Sequence, residues 1–489
     1  MMKAVVTGCS LMLIVSAFLL AALPSAHCDE VATTMPSTST LGGGVFVVAP
    51  DGDDRNPGTV LQPWKTLQKA AYSVQPGDAV FVRKGQYAAG LIIKRSGTAE
   101  SPIRFRNFPG EEPVIDGRRE HYFGILLHQV RFIHVRGFSI RNIIQDRARK
   151  TRDKPGYSYP PGGIALIDSS DNVVEGNMIR TGGERHSPDE IEVGATGIRL
   201  YSANPSKGCH RNLLRGNECF HCSSGAHILG PGSGNMFEGN LFRDNQELRE
   251  HSDGAGQDAL RRVAGKTPAQ GEPPVTPRAS IYRYNVCTDN SDDGLDMWVS
   301  TGNLIEYNFV SGSGMGPKKG DGNGYKMGPG GRNTIRYCLA YRNRARAFDD
   351  NAGGNNTWQN NVAFGNGSPG AKGATVLKTE DEWKKNKLRQ DIQRRIDAFR
   401  DGLVETIPPG PPGNVQRTAA GLTWTAPAPA EDGDVAVCYL IFADERVIAV
   451  TYGESFALPP GVKGQLSVCS VDDSYRDNQS GRVNAAEPR

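Results

Sequence analysis

Between residues 172 and 361 the hydrophobic positions fall in short, β-rich runs punctuated by Gly and Asn. Five runs share one pattern: Asn172-Val-Val-Glu-Gly-Asn177, Asn212-Leu-Leu-Arg-Gly-Asn217, Asn235-Met-Phe-Glu-Gly-Asn240, Asn303-Leu-Ile-Glu-Tyr-Asn308 and Asn356-Thr-Trp-Gln-Asn-Asn361. Weaker copies start at Ser280 and Asn333. The step is 23 residues from 212 to 235, from 280 to 303 and from 333 to 356. Steps of 30 (303 to 333), 40 (172 to 212) and 45 (235 to 280) read as one coil plus an insertion or, for the last, as two coils. A fixed period in the twenties marks a solenoid. The leucine framework of leucine-rich repeats is absent, so the pattern predicts an all-β, right-handed parallel β-helix. Each coil would bury alternate side chains and stack on its neighbour at about 4.8 Å. The recurring Asn side chains are expected to stack at the turns and satisfy neighbouring backbone groups.

A solenoid needs capped ends. Residues 63–71 read as a short amphipathic helix ahead of a first clear strand at 79–83, a good N-terminal cap. Trp383, Leu388, Ile392, Ile396, Phe399 and Leu403 recur at helical spacing and predict a C-terminal capping helix within 378–407. Residues 408–413 read as a Pro/Gly linker. Beyond it, strands are expected at 422–424, 435–442, 447–451 and 466–471. Their order resembles a small fibronectin type III-like β-sandwich over 414–489. Trp424 and Tyr439 fit that resemblance, and Leu466, where such modules usually carry Tyr, departs from it.

Composition agrees with many turns: the 489 residues include 59 Gly and 31 Pro. With 56 Lys+Arg against 53 Asp+Glu, the chain lacks the basic surplus of a protein that binds nucleic acid by neutralising phosphates. Lys3 precedes an apolar run over residues 11–23, too short for the roughly twenty residues of a membrane span but suited to a secretory signal. The expected organisation is a signal peptide at 1–28, a linker at 29–44, a β-helix at 45–377, then the helix, linker and small module. Export to the extracellular space or periplasm, no stable membrane insertion and a monomer are expected. Cys219-x-x-Cys222 lacks a second pair at finger spacing, and Cys438 and Cys469 could form one disulfide in the small module.

Aligning coils by their repeat Asn reveals the candidate chemistry. Seven positions before residues 303, 333 and 356 stand Asp296, Lys326 and Asp349. Three further back stand Asp293, Asn323 and Arg346. Stacking would put each set in a column on one surface, with neighbours about 5 Å apart. Asp292, Asp293 and Asp296 form a dense acidic cluster, and such carboxylates raise one another's pKa unless a cation is present. Hard oxygen ligands without His or Cys suit Ca²⁺. The ion needs more ligands, and Asp253 is the best upstream candidate, with Asp258 a weaker one. Lys326 is flanked by small residues in Gly322-Asn323-Gly324-Tyr325-Lys326-Met327-Gly328. A lysine becomes a base near neutral pH only where burial or nearby positive charge lowers its pKa. Bound Ca²⁺ would lower it, and Asp349 would push the other way.

These strings resemble a known family. Asp292-Asp293-Gly294-Leu295-Asp296 followed by Asn323-Gly324-Tyr325-Lys326-Met327-Gly328 is similar to the site of the pectate lyases of polysaccharide lyase family 9. The entry through Pro50-Asp51-Gly52-Asp53, Asn56-Pro57-Gly58-Thr59 and Pro76-Gly77-Asp78 resembles the start of many β-helix lyases. The resemblance covers roughly residues 45 to 375. It implies Asp253, Asp292, Asp293 and Asp296 as calcium ligands and Lys326 as the base of a β-elimination on an acidic polysaccharide. A departure is the insertion placed at 257–277, directly after Asp253. Lys318, Lys319 and Arg346 are candidates to pair with other substrate carboxylates, with Asn323 and Asp349 beside them. Two other readings stand. A β-helix glycoside hydrolase would use paired carboxylates such as Asp296 and Asp349, although the Gly-His-Gly element typical of such enzymes is absent. A secreted glycan-binding β-helix would bind without cleaving.

Overall fold

The computed structural model describes residues 43–144, 160–182, 195–204, 206–246, 252–259, 276–314, 320–351 and 354–486. The signal-peptide reading, most of the insertion after Asp253, and Lys318 and Lys319 lie outside them.

The chain winds as a parallel β-helix with three long faces. An 11-stranded flank sheet runs from Val45–Val48 to Thr357–Gln359. A second 11-stranded sheet runs from Gly85–Ala88 to Ala374–Leu377. A 10-stranded cleft sheet runs from Leu91–Ile93 to Ser368–Gly370 and carries the candidate site. Strand Met236–Glu238 pairs directly with Ile281–Arg283, so the step from 235 to 280 is one coil with an insertion and not two coils.

The repeat Asn form ladders inside the turns. The Asn172 backbone N–H and Nδ2 both donate to Asn212 Oδ1, and Asn212 repeats the contact on Asn235. A second ladder runs through Asn177, Asn217, Asn240, Asn285 and Asn308. Each buried amide thereby satisfies backbone groups that a tight turn would orphan. The core fills the centre with complementary volumes. In the cleft sheet the inward register runs Ile198, Ala226, Ala255, Leu295, Tyr325, Phe348. Where it shrinks to two alanines, the flank sheet supplies Phe237 and Tyr282, stacked at 4.4 Å. Cys209, Cys219, Cys222, Cys287 and Cys338 are free thiols in this core, serving as small hydrophobes.

The ends differ from expectation. Strand Val45–Val48 precedes the helix α1 (Leu67–Ser73) and pairs with Ala79–Val82, so the first coil starts earlier than the predicted strand at 79. The predicted C-terminal cap is two helices, α2 (Glu380–Lys385) and α3 (Lys387–Leu403), broken at Asn386, whose side chain caps α3. They lie along the second sheet instead of closing the end: Ile392 and Ile396 pack with Leu339 and Val362, and Phe399 stacks on Tyr284 at 4.5 Å. The reason is legible in one repeat position. The residue before the second repeat Asn, a position that Cys338 takes in one coil, has positive φ, and in successive coils it is Gly176, Gly216, Gly239, Tyr284, Tyr307 and Tyr337. The three tyrosines build a stacked ridge that α3 covers. At Gly216 a Cβ would meet the ring of Tyr475 at 2.0 Å, so glycine there both permits the turn and seats the C-terminal module.

That module has two antiparallel sheets. One holds Gly413–Thr418, Gly421–Thr425 and Ser455–Phe456; the other holds Arg446–Thr451, Cys438–Ala443, Leu466–Val471 and Val483–Asn484. Cys438 lies opposite Val471 and Cys469 opposite Leu440, a diagonal offset that leaves both as free thiols in place of the expected disulfide. The module is docked: Cys438, Leu440, Phe442, Val450 and Val471 share one apolar cluster with Val47, Ala79, Phe81 and Phe108 of the β-helix. Asp477 reaches into the flank sheet, where Arg106 (2.5 Å) and Arg136 (3.2 Å) meet its Oδ1 and Asn107 Nδ2 (2.5 Å) its Oδ2.

Candidate active site

Parallel stacking lines up the outward side chains of the cleft sheet. The register reads Leu126, Ala165, Arg199, His227, Gly256, Asp296, Lys326, Asp349. A second column stands one turn earlier in each coil. The Asp293 N–H donates to Asp253 Oδ1 (3.2 Å), the Asn323 N–H to Asp293 Oδ1 (2.6 Å), and the Arg346 N–H to Asn323 Oδ1 (3.1 Å). Both columns expected from the sequence are therefore present, and Asp253 continues the second one. Strand Ala255–Asp258 stays in register through Gln257, so the insertion begins later than residue 257 and leaves Asp253 in place. Asp258 lies outside the carboxylate groups described next.

Two carboxylate groups converge here and share Asp293. Oxygens of Asp253, Asp293 and Asp296 lie within 4.8 Å of one another, as do those of Asp292, Asp293 and Asp321. Lys326 Nζ sits among them, 2.6 Å from Asp321 Oδ2, 3.1 Å from Asp293 Oδ2 and 3.5 Å from Asp296 Oδ2. Lys326 is only 7% exposed, and its ammonium also lies 5.0 Å from the Trp298 ring centre. Burial alone would lower its pKa, but Asp296 and Asp293, with hydrogen bonds to Asp321 and Asp293, more than offset this and hold it well above the ordinary lysine range. Burial and the Asp292 charge push Asp293 up to about 7. Burial, then Asp293, drives Asp296 well above the usual carboxylate range; burial, then Asp296, does the same for Asp253. Asp292 accepts the Asp321 N–H and is itself buried.

The expected opponent of Lys326 is differently employed: Asp349 pairs with Arg346 Nη1 at 2.5 Å, and the push on the lysine comes from Asp296, Asp293 and Asp321. That pairing also occupies the Arg346 guanidinium, while both ends of the Asn323 amide serve the ladder. Asp321 and Trp298 were missed by sequence reasoning. Trp298 is two residues from Asp296 and shares its outward face, a signal that alternation offers. Asp321, in Gly320-Asp321-Gly322, lies in the irregular 30-residue coil where repeat counting has no partner.

The donor set fits Ca²⁺. Its ligands are hard oxygens only, and the buried Asp296 Oδ1 has no hydrogen-bond partner. Gly256 leaves a shallow notch beside them that no side chain could fill without crowding: a Cβ there would meet the Asp296 carbonyl oxygen at 2.9 Å, the His227 ring at 3.3 Å and Asp253 Oδ2 at 3.6 Å. Beyond the notch, Arg199 Nη1 contacts His227 Nδ1 at 2.7 Å. Arginine only donates, so Nδ1 accepts and the ring proton sits on Nε2. Burial, aided by Arg199, pushes the His227 pKa well down, so the positive charge in this pair belongs to Arg199.

Residues 46–241 match the Pel9A-like, right-handed β-helix region. The fold is therefore the right-handed solenoid that the repeat predicts. The match ends before Asp253, so the carboxylate site stands on its own geometry. Pectate lyase PEL9 of Emericella nidulans is 24% identical over 378 residues, covering 70% of this chain and 78% of that protein. The uncharacterized protein YwoF of Bacillus subtilis is 31% identical over 140 residues, 27% of this chain and 29% of that one. The crystal structure of pectate lyase Pel9A superposes with a TM-score of 0.44 at 19% identity, covering 68% of this chain and 72% of that one. Among the described residues no helix is long and apolar enough to cross a membrane.

Proposed function

We propose that the protein is an exported, calcium-dependent polysaccharide lyase that cleaves a uronic-acid polymer, with polygalacturonate the leading substrate, by β-elimination with Lys326 as the base. The observation that carries this reading is the convergence of one buried lysine with Asp253, Asp292, Asp293, Asp296 and Asp321 on the outer face of one sheet. The relationship to a pectate lyase over 70% of the chain supports it. Asp253, Asp292, Asp293 and Asp296 would hold the ion. Bound calcium would supply positive charge to the substrate carboxylate and to the enolate-like charge that develops beside it. Lys326 must be neutral to act; an ion held by Asp293 and Asp296 would weaken their hold on its ammonium, whose proton would then pass to solvent. Its Nζ then takes the hydrogen at C5. The C5–H electron pair becomes the C4–C5 double bond, and the C4–O bond breaks with the glycosidic oxygen leaving and taking up a proton.

The outward column extends the reading to substrate. Arg199 lies four strands from Lys326, about 19 Å at roughly 4.8 Å per strand. A polyuronate laid along the column would bring a further carboxylate to that guanidinium. Trp298 beside Lys326 offers an aromatic face to a sugar ring. The rival pairing of Asp296 with Asp349 has Lys326 between the two carboxylates and Arg346 on the second, a poor arrangement for an acid and a base of hydrolysis.

The test is an ultraviolet assay for the unsaturated product. Polygalacturonate, rhamnogalacturonan and alginate are each supplied with calcium or with chelator at alkaline pH. Calcium-dependent absorbance on one of them supports the lyase. Cleavage that incorporates solvent oxygen without absorbance would establish the hydrolase, and binding without cleavage the glycan-binding protein.

A further inference from the structure

We propose that the C-terminal module holds a second calcium site, built from Glu405, Asp434 and Asp472, which fastens the module to the β-helix. Carboxylate oxygens of these three residues lie within 4.8 Å of one another, far along the chain from the cleft. They come from three separate segments. Glu405 follows α3, Asp434 closes the turn at 430–434, and Asp472 opens the loop 472–478. The proposal is independent of the reading of the cleft.

Acidic clusters are common on surfaces, and the second observation here is Asp472 itself. Its residue is 0% exposed. Oδ1 accepts the N–H groups of Ser474 (3.1 Å) and Asn478 (3.0 Å), which fixes the carboxylate in its loop. Oδ2 is buried and has no hydrogen-bond partner. An orphaned carboxylate oxygen is costly unless a cation meets it. Glu405 is oriented as well: Oε1 accepts from Asn478 Nδ2 at 2.9 Å, and the same amide donates to the Glu405 carbonyl at 3.0 Å. Oxygen ligands alone select calcium over zinc, and an all-protein set of carboxylates suits calcium better than magnesium, which keeps most of its own waters.

The position gives the ion a task. The 472–478 loop carries the two side chains that lock the module down. Tyr475 donates its hydroxyl to the Arg215 carbonyl at 3.1 Å, and Asp477 neutralises Arg106 and Arg136. The Tyr475 N–H donates to the Leu403 carbonyl at 2.9 Å, at the end of α3. An ion at Glu405, Asp434 and Asp472 would tie the helix end, the module and the docking loop at one point.

The experiment counts ions on the full exported chain. Protein stripped with chelator is titrated with calcium by calorimetry, and its thermal midpoint is followed with and without the ion. Wild type is expected to bind two ions. Asp296→Asn should lose the cleft ion and keep the other. Asp472→Asn preserves the Oδ1 acceptor of the loop and should lose one ion together with part of the calcium-induced rise in Tm. Asp434→Asn, on a different segment, should do the same, so a folding defect in one variant leaves the other to decide. If Asp472→Asn and Asp434→Asn both bind as many ions as wild type, the site does not exist. If the Asp296→Asn protein binds none, the proposal also fails, whatever the cleft does.

Discussion

The cleft and the module junction are both buried ionic clusters, yet they are built to opposite ends. At the junction, Asp477 has its two oxygens engaged by Arg106, Arg136 and Asn107, and Glu175 lies 4.0 Å from Arg136, so two carboxylates answer two guanidinium groups within the chain. Burial would lower the Arg106 pKa, and Asp477 first, with Tyr452 and Cys438 behind it, more than restores it. In the cleft, among the described residues, five carboxylates gather around one lysine, and the buried Asp296 Oδ1 has no hydrogen-bond partner. Such a surplus costs stability in the isolated chain, because like charges are desolvated together. A cluster that serves only the fold can be neutralised by its own residues, as at the junction. One left short of positive charge is arranged for something the chain does not contain.

The sharpest way to break this contrast is to remove the lysine that sits among the cleft carboxylates. Lys326→Ala should lower kcat by about 10²–10⁴-fold, the range for loss of a positioned base, while the unfolding transition stays cooperative. A near wild-type rate would remove Lys326 from the chemistry. At the junction the expected loss is in stability. Asp477→Asn leaves the buried Arg106 guanidinium without its carboxylate and Arg136 with only Glu175 at 4.0 Å, and should cost about 3–5 kcal/mol, read as a lower urea midpoint. Asn is chosen because residue 477 has a φ of 49°, which Asn tolerates. An unchanged midpoint would mean the junction is not the buried, paired cluster described.

These two clusters were unequally visible in the sequence. Asp293, Asp296, Asn323, Lys326, Arg346 and Asp349 could be aligned because each stands a fixed distance before its repeat Asn, and parallel stacking converts equal spacing into adjacency. Arg199 and His227 escaped because their loops differ: they stand 13 and eight positions before Asn212 and Asn235, against seven for Asp296, Lys326 and Asp349. The junction was invisible for another reason. Arg106 and Asp477 are 371 residues apart, and no periodicity connects a solenoid strand to a loop of another module. The helix pattern from Trp383 to Leu403 identified the apolar face correctly but not its partner, since the tyrosine ridge under α3 emerges only when coils are stacked. Repeats make local register legible; docking between non-repeating parts depends on surfaces that exist only after folding.

A milder change probes how far the cleft extends. Arg199→Ala should raise KM for the long polymer by about tenfold, near 1.4 kcal/mol, with kcat almost unchanged. Arg199→Lys should recover part of the loss. Oligomers too short to reach from Lys326 to Arg199 should not distinguish the variants. A fall in kcat on such short oligomers would show that Arg199 acts on the base instead of on a distant sugar.

The smallest expected effect tests the cleft electrostatics directly. Asp321 donates no ligand to the Asp253, Asp293 and Asp296 group, and its side chain is 55% exposed, but its Oδ2 is the closest carboxylate oxygen to Lys326 Nζ. That hydrogen bond helps hold the lysine pKa up. A base acts in its neutral form, so the rate rises with pH through the base's pKa. Asp321→Asn removes a charge that favours the ammonium, the pKa falls, and more of the amine is neutral at any pH below it. At saturating calcium the rising limb of the kcat profile should therefore move to lower pH, with a modest gain near neutrality. A limb that stays in place would mean Asp321 does not govern the base once the ion is bound, and that Asp293 and Asp296 alone set the proton affinity of Lys326.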